Sequence, residues 1–192
     1  MPTPNPAAMD FLLSRRSRPA KTLTGPAPDR AALMPLLTAA ARSPDHGKLE
    51  PWRFIVLEGA ALQRLATAAA GRGAALGFEP AQADKARAQF ADSPLCVAVV
   101  ESPKDSPKVP AIEQTYSAGA VCLALLNAAL ASGWGANWLS GWIAEDRPFV
   151  EDTLGLAPQE RIAGFLHIGT ESSAPPERPR PDLDAITTWV SE

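Results

Sequence analysis

Residues 114–143 carry no formal charge, and no other feature narrows the fold as much. A stretch that long without charge has to be buried, in lipid or in a protein core. Its densest apolar part, residues 118–131, falls short of the roughly 20 residues a membrane span needs. It also contains Asn127 and runs into Gly133, Gly135 and Asn137. The run therefore reads as a helix of a soluble protein, starting near Pro110 and ending near Ser132. It is apolar nearly all round, which suits the middle of a core or a subunit interface. Gly119 between Ala118 and Ala120 leaves room for another helix or a flat group. The first residues, MPTPNPAAMDFLL, lack a basic segment followed by an apolar one, so the expected location is the cytoplasm.

The elements around that helix alternate in type. Residues 1–8 are Pro-rich and read as loose, and residues 9–16 as a first helix. Asp29 is a candidate N-cap for a helix over 30–42, with Leu33, Leu36, Leu37 and Ala40 at near-helical spacing. Residues 52–57 read as a strand. An Ala-rich helix over 60–70 is expected to stop at Gly71 and Gly73, with a flexible connection over 73–80 and a further helix over 81–90. The run LCVAVV over 95–100 is a buried central strand. Strands follow at 135–142 and 161–169, with a short helix over 147–154 closed by Gly155. Residues 170–192 form a Pro-rich extended arm ending in an apolar patch of Leu183, Ile186, Trp189 and Val190. Helices interleaved with strands, without repeats or a linker, predict one layered domain over 1–192.

The chain has 192 residues, 46% of them hydrophobic and 20% charged, enough to bury a real core. Net charge is −3 with the basic residues scattered, which argues against nucleic acid as a partner. Cys96 and Cys122 lie among apolar neighbours and read as buried thiols. No CxxC or HExxH occurs, and with only two histidines no metal site is expected. GxGxxG and P-loop motifs are absent too, so a dinucleotide-binding Rossmann domain is unsupported.

Chemistry concentrates in two places. Residues 42–52, RSPDHGKLEPW, put Arg42, Asp45, His46, Lys48 and Glu50 in a turn between a helix and a strand. This is either a solvated loop or a site presented by the scaffold. Residues 15–18, RRSR, leave the first helix; they are surface charge or a phosphate holder, since a guanidinium fork matches phosphate oxygens. The second histidine, His167, sits between apolar residues of a strand and reads as structural.

In order along residues 9 to 170, five pieces resemble the FMN-dependent nitroreductase family, in particular its short bacterial members. They are Arg15-Arg16-Ser17; Arg42-Ser-Pro-Asp-His46 leading to Pro51-Trp52; Lys108-Val-Pro with Glu113-Gln and Ser117-Ala-Gly-Ala120; the apolar helix running into Gly135 and Trp138-Leu-Ser-Gly141; and the strand Ile162-Ala-Gly-Phe-Leu-His-Ile-Gly169.

The resemblance implies an α+β fold with a central mixed, mostly antiparallel sheet flanked by helices, in an intertwined homodimer with the arm packed on the partner. It implies FMN at the interface and hydride passing from NADH or NADPH through the flavin to a small-molecule acceptor in ping-pong order. No catalytic side chain is implied, because the cofactor carries the chemistry. Arg15 and Ser17 would hold the FMN phosphate, with Arg16 near the ring or the phosphate; Arg180, or in second place Arg178, would add a late basic residue on the phosphate. Arg42 and His46 would contact the ribityl chain and phosphate, across the dimer. Trp138, Leu139, Ser140 and Gly141 would flank the isoalloxazine. Lys48 and Glu50 stand where many members carry Asn and Gln; Lys48 would face the N1–O2 edge, with Glu50 paired to it. The alternatives are an FMN enzyme of this fold with another reaction, or a flavin-binding dimer without turnover.

Overall fold

The computed structural model describes residues 3–192. Five strands make one sheet: β1 (Leu23–Thr24), β2 (Trp52–Leu57), β3 (Cys96–Glu101), β4 (Gly135–Leu139) and β5 (Arg161–Glu171). The long β5 pairs with β1, β3 and β4, and β3 also pairs with β2; all four pairings are antiparallel. The helices are α1 (Pro6–Ser14), α2 (Arg30–Ala40), α3 (Ala60–Ala75), α4 (Pro80–Ala91), α5 (Ala111–Ala131), α6 (Trp142–Glu145), α7 (Arg147–Leu154) and α8 (Leu183–Ile186).

The sheet is covered on both faces. Leu62 and Leu65 of α3, Phe90 of α4, Phe149 of α7 and Phe165 of β5 belong to one core layer. Leu33 and Leu36 of α2, Val121 and Leu125 of α5, and Leu166 and Ile168 of β5 belong to the other. Successive side chains of a strand point to opposite faces. Cys96, Ala98 and Val100 accordingly serve the first layer while Val97 and Val99 serve the second. All six residues of β3 are buried, which is why it reads as an apolar run up to Val100; the last of the six is the buried Glu101.

Several element boundaries differ from expectation. Helix α1 begins at Pro6, inside the segment read as loose, because proline suits a first helical turn and Asn5 caps it, its Oδ1 accepting from Ala8 N–H at 3.2 Å. Helix α3 does not stop at Gly71 but runs to Ala75, and α4 starts at Pro80, so only residues 76–79 of the expected flexible connection are non-helical. At Gly73 a Cβ would lie 3.0 Å from the Ala83 Cβ, so glycine there lets α3 and α4 approach closely. That packing outweighs the ~1 kcal/mol a helical glycine costs. The strand read as 135–142 ends at Leu139, and α6 follows it. Strand β1 and helix α8 carry no signal in the sequence.

Helix α5 is also longer than its densest apolar run, at 21 residues, and by length and composition it could cross a membrane. Length therefore does not decide the matter; packing does, because the helix lies on the sheet with α2. It buries Ala118, Val121, Cys122, Leu125, Leu126 and Ala129 and leaves Ile112, Tyr116 and Leu123 exposed, so it is buried on one face rather than all round.

Candidate flavin site

The chain leaving α1 is pinned along β4. Arg18 N–H donates to the Ala136 carbonyl at 2.8 Å, and Asn137 Nδ2 donates to the Arg18 carbonyl at 2.6 Å. This puts Arg15, Arg16 and Ser17 beside the strand that ends in Trp138 and Leu139. Arg15 Nη2 donates to Ser17 Oγ at 3.4 Å. Arg15 Nε and Arg16 Nη1 are buried and have no partner. Burial, then the charges of Arg180 and Arg18, pushes the Arg15 guanidinium below its ordinary value.

The C-terminal arm thus returns to its own α1 exit. Arg180 Nη2 donates to Glu177 at 2.8 Å. The Glu177 carboxyl is held down by the Arg178 backbone N–H and, less strongly, by Arg180 and Arg16. A cavity of about 270 Å³ opens here among Arg15, Arg16, Arg18, Trp134 and Glu171. One carboxylate shares it, Glu171, 3.4 Å from Arg18 Nε. Unpaired guanidinium nitrogens out of water are costly unless an anion meets them. The arrangement suits a phosphate.

The end of β4 supplies a flat wall. The Trp138 indole lies across Gly164, where a Cβ would fall 2.0 Å from Nε1, and Nε1 donates to the Ala163 carbonyl at 3.2 Å. Only glycine lets the ring rest there. Ser140 is exposed, and Gly141 has φ +106° with nothing within 4 Å of a would-be Cβ. That backbone is open to close approach by a ligand.

Arg42, His46 and Lys48 are elsewhere. Their loop is gripped by the N-terminal part of α5: Ser117 Oγ donates to the Pro44 carbonyl at 2.9 Å, and His46 Nδ1 lies 2.6 Å from Glu113 Oε2. The Arg15 cavity lies by Leu130, at the other end of α5. Ser117 and Leu130 are 13 residues apart, roughly 20 Å of helix. One protomer therefore does not bring Arg42 and His46 to the Arg15 cluster. Within the loop Gly47, Lys48 and Glu50 all have positive φ, at +77°, +54° and +49°. Two non-glycine residues in that region store strain. Glu50 does not pair with Lys48 as expected; its backbone has positive φ, and its N–H donates to Asp45 Oδ2 at 2.7 Å.

Sequence reading missed a cavity of about 480 Å³ between α5, α6 and the start of β5, bordered by Glu101, Thr115, Gly119, Glu145, Arg161 and Ala163. Buried Glu101 accepts there from Thr115 Oγ1 at 2.7 Å and Arg161 Nη2 at 2.9 Å. These partners are 14 and 60 residues apart, so no local motif announces them. Gln114, also without a role in the sequence, exchanges two bonds with the Lys104 backbone at 2.8 and 2.9 Å.

The remaining reactive groups are structural. His167 is buried with Nδ1 2.8 Å from Ser93 Oγ, and burial pushes it down to about 4, so it is neutral near pH 7. Cys122 is pushed up to about 12 by burial and Cys96 rises for the same reason, so neither is a thiolate nucleophile. Among the described residues no cluster of three or more His, Cys, Asp or Glu could hold a metal ion.

Comparison with known proteins gives the family and the fold. The Nitroreductase family model matches residues 12–170. YdjA of Escherichia coli K12, whose name assigns it provisionally to the NAD(P)H nitroreductases, is 38% identical over 163 residues, 85% of this chain and 87% of its own. A nitroreductase-like family protein from Bacillus cereus superposes with a TM-score of 0.81 at 24% identity, covering 99% of this chain and 98% of that one. A variant of NfnB from Sphigopyxis sp. strain HMH, described as an FMN- and NADPH-dependent nitroreductase, superposes with a TM-score of 0.74 at 22% identity, covering 95% and 98%. By sequence and by fold alike, this chain belongs to the nitroreductase family of oxidoreductases.

Proposed function

We propose that the protein is an FMN-dependent oxidoreductase that takes hydride from NADH or NADPH and delivers it to nitroaromatics, quinones or similar acceptors. The observation that carries this reading is the pair of buried, unpartnered nitrogens on Arg15 and Arg16. Arg15, Arg16, Ser17 and Arg180 hold the phosphate. Trp138, Leu139, Ser140 and Gly141 flank the ring, Trp138 as a fixed apolar wall and Gly141 through its open backbone. FMN, when bound, supplies the hydride chemistry, and the side chains bind and orient. Neither a metal nor a catalytic side chain is required.

The site is completed by a second copy. The separation along α5 supports a role for Arg42, His46 and Lys48 at the partner's flavin, where Arg42 and His46 would meet the ribityl chain and phosphate and Lys48 would favour the reduced anion by its positive charge near the N1–O2 edge. Exposed apolar residues support a homodimer: Met9, Leu12 and Leu13 on α1, Ile112, Tyr116 and Leu123 on α5, and Leu183, Ile186, Trp189 and Val190 on the arm, which packs on the partner. Residues 1–192 act as one domain, in the cytoplasm, without nucleic acid or membrane as partner. The nicotinamide leaves before the acceptor enters, giving ping-pong kinetics.

Anaerobic titration of the FMN-loaded protein with NADH and with NADPH tests the reading. Bleaching of the flavin band by at least one of them, and its return on adding a nitroaromatic or quinone, is the expected result. A protein that takes up FMN but is bleached by neither nucleotide contradicts it.

A further inference from the structure

Glu113 makes a 2.6 Å contact to Nδ1 of the exposed His46. It lies in the first turn of α5, four residues before Ser117, so both face the same side of the helix. Together they grip the 42–50 loop at two points, Ser117 at the Pro44 carbonyl and Glu113 at His46 Nδ1, at 2.9 and 2.6 Å. Between those points the loop is tied by Asp45 to Glu50 N–H, and Gly47 packs on Val109, where a Cβ would lie 3.2 Å from Cγ2. A loop bent through three positive-φ residues and anchored this way is held in one shape.

We infer that Glu113 is a positioning residue for His46, keeping the proton on Nδ1 and turning Nε2 outward as the nitrogen offered to the flavin of the partner's site. The chemistry follows from the acceptor. An ionised carboxylate only accepts, so the nitrogen 2.6 Å away must carry a hydrogen. Free neutral histidine prefers its hydrogen on Nε2, so Glu113 reverses that choice. The outward Nε2 then accepts from a ribityl hydroxyl or, when the ring is protonated, donates to a phosphate oxygen. The other charged groups of the loop do not compete for the ring: Asp45 is engaged by Glu50 N–H, and Arg42 and Lys48 make no ion pair among the described residues.

This inference rests on the flavin reading, and its test separates the two. The chain has two histidines, and buried His167 serves as an internal reference, so long-range proton–nitrogen spectra of the labelled protein identify each tautomer. His46 is expected with its hydrogen on Nδ1. Glu113→Ala moves it to Nε2 and weakens FMN binding about tenfold, the worth of one hydrogen bond. Glu113→Gln, which keeps an acceptor oxygen, retains the Nδ1 form and restores affinity to within about twofold of the parent, as expected if the bond's geometry matters more than its charge. A wild-type His46 protonated on Nε2, a tautomer unmoved in Glu113→Ala, or a moved tautomer with unchanged FMN affinity each overturns the inference while leaving the flavin reading intact. Apoprotein that binds no FMN overturns the flavin reading, and the inference with it.

Discussion

Two sets of arginines divide the molecule. Arg53 grips Glu160 with two bonds of 2.7 and 2.6 Å, and Arg72 grips Asp146 with two of 2.8 Å. Each fork ties distant elements together: β2 to the turn before β5, and α3 to the cap of α7, whose Phe149 N–H Asp146 also accepts at 3.0 Å. At the α1 exit, Arg15, Arg16, Arg18 and Arg180 converge with two carboxylates, Glu171 at 3.4 Å from Arg18 and Glu177 at 2.8 Å from Arg180, and one nitrogen each of Arg15 and Arg16 is buried without a partner. Against arginines satisfied that fully elsewhere, the two unpartnered nitrogens at the α1 exit are what supports the proposed anion there. The contrast is between guanidinium forks saturated within the chain, which tie the fold, and guanidinium nitrogens left without a partner, which are candidates for binding.

That contrast can be broken at either side. The largest effect on stability is expected from Arg53→Ala, which strands buried Glu160. We expect a loss of about 2–3 kcal/mol in chemical denaturation, below the ~3–5 kcal/mol of a fully buried pair because Arg53 is 37% exposed. Arg15→Ala, which relieves like charges, should leave apoprotein stability within about 0.5 kcal/mol of the parent. Equal losses in both variants would erase the distinction.

The pairing also fixes a pH dependence. The Arg53 hydrogen bond, backed by Ala157 N–H, holds the Glu160 carboxyl down to about 2. A depressed carboxyl stabilises the fold fully above the unfolded value, roughly 4.3, and the gain disappears as pH falls through the folded value. The urea midpoint of the parent should therefore exceed that of Glu160→Gln above about pH 5 and converge with it as pH approaches 2. A gap that stays constant over that range contradicts the role of the ion pair.

Smaller effects probe how far the fold is bent to shape the site. Gly164→Ala puts a methyl group into the Trp138 indole and should cost about 1–3 kcal/mol, with a changed near-ultraviolet circular dichroism spectrum and weaker flavin binding. An unchanged spectrum would mean that the ring does not rest where the structure has it. Lys48→Asn, which suits φ +54° better, should raise the melting temperature slightly, by less than ~1 kcal/mol in stability. A clear loss would show that the lysine side chain, not its backbone, holds the loop.

The sequence made some of this visible and hid the rest for physical reasons. Strand β3 is legible because burial on both faces leaves an apolar run up to Val100. Helix α7 is legible because Gly155, at φ +66°, closes it. Arg15-Arg16-Ser17 stands out because a serine among arginines already has phosphate-binding chemistry. The structural forks were invisible, since Arg53 and Glu160 are 107 residues apart and Arg72 and Asp146 are 74 apart. The run of α3 through Gly71 and Gly73 depends on α4 lying against it, and a local propensity cannot register a neighbour. The Trp138 wall depends on Gly164, which as a sequence letter is one more glycine in a strand. His46 was visible as a candidate, but the Glu113 that orients it lies 67 residues away.

Affinity for riboflavin, which lacks a phosphate, tests most directly whether the unpartnered nitrogens of Arg15 and Arg16 bind one. Fluorescence titration of the apoprotein should show FMN binding roughly 10²–10⁴-fold more tightly than riboflavin, the worth of two charge-assisted hydrogen bonds. The gap should narrow as salt is raised. Equal affinities for FMN and riboflavin would contradict the account.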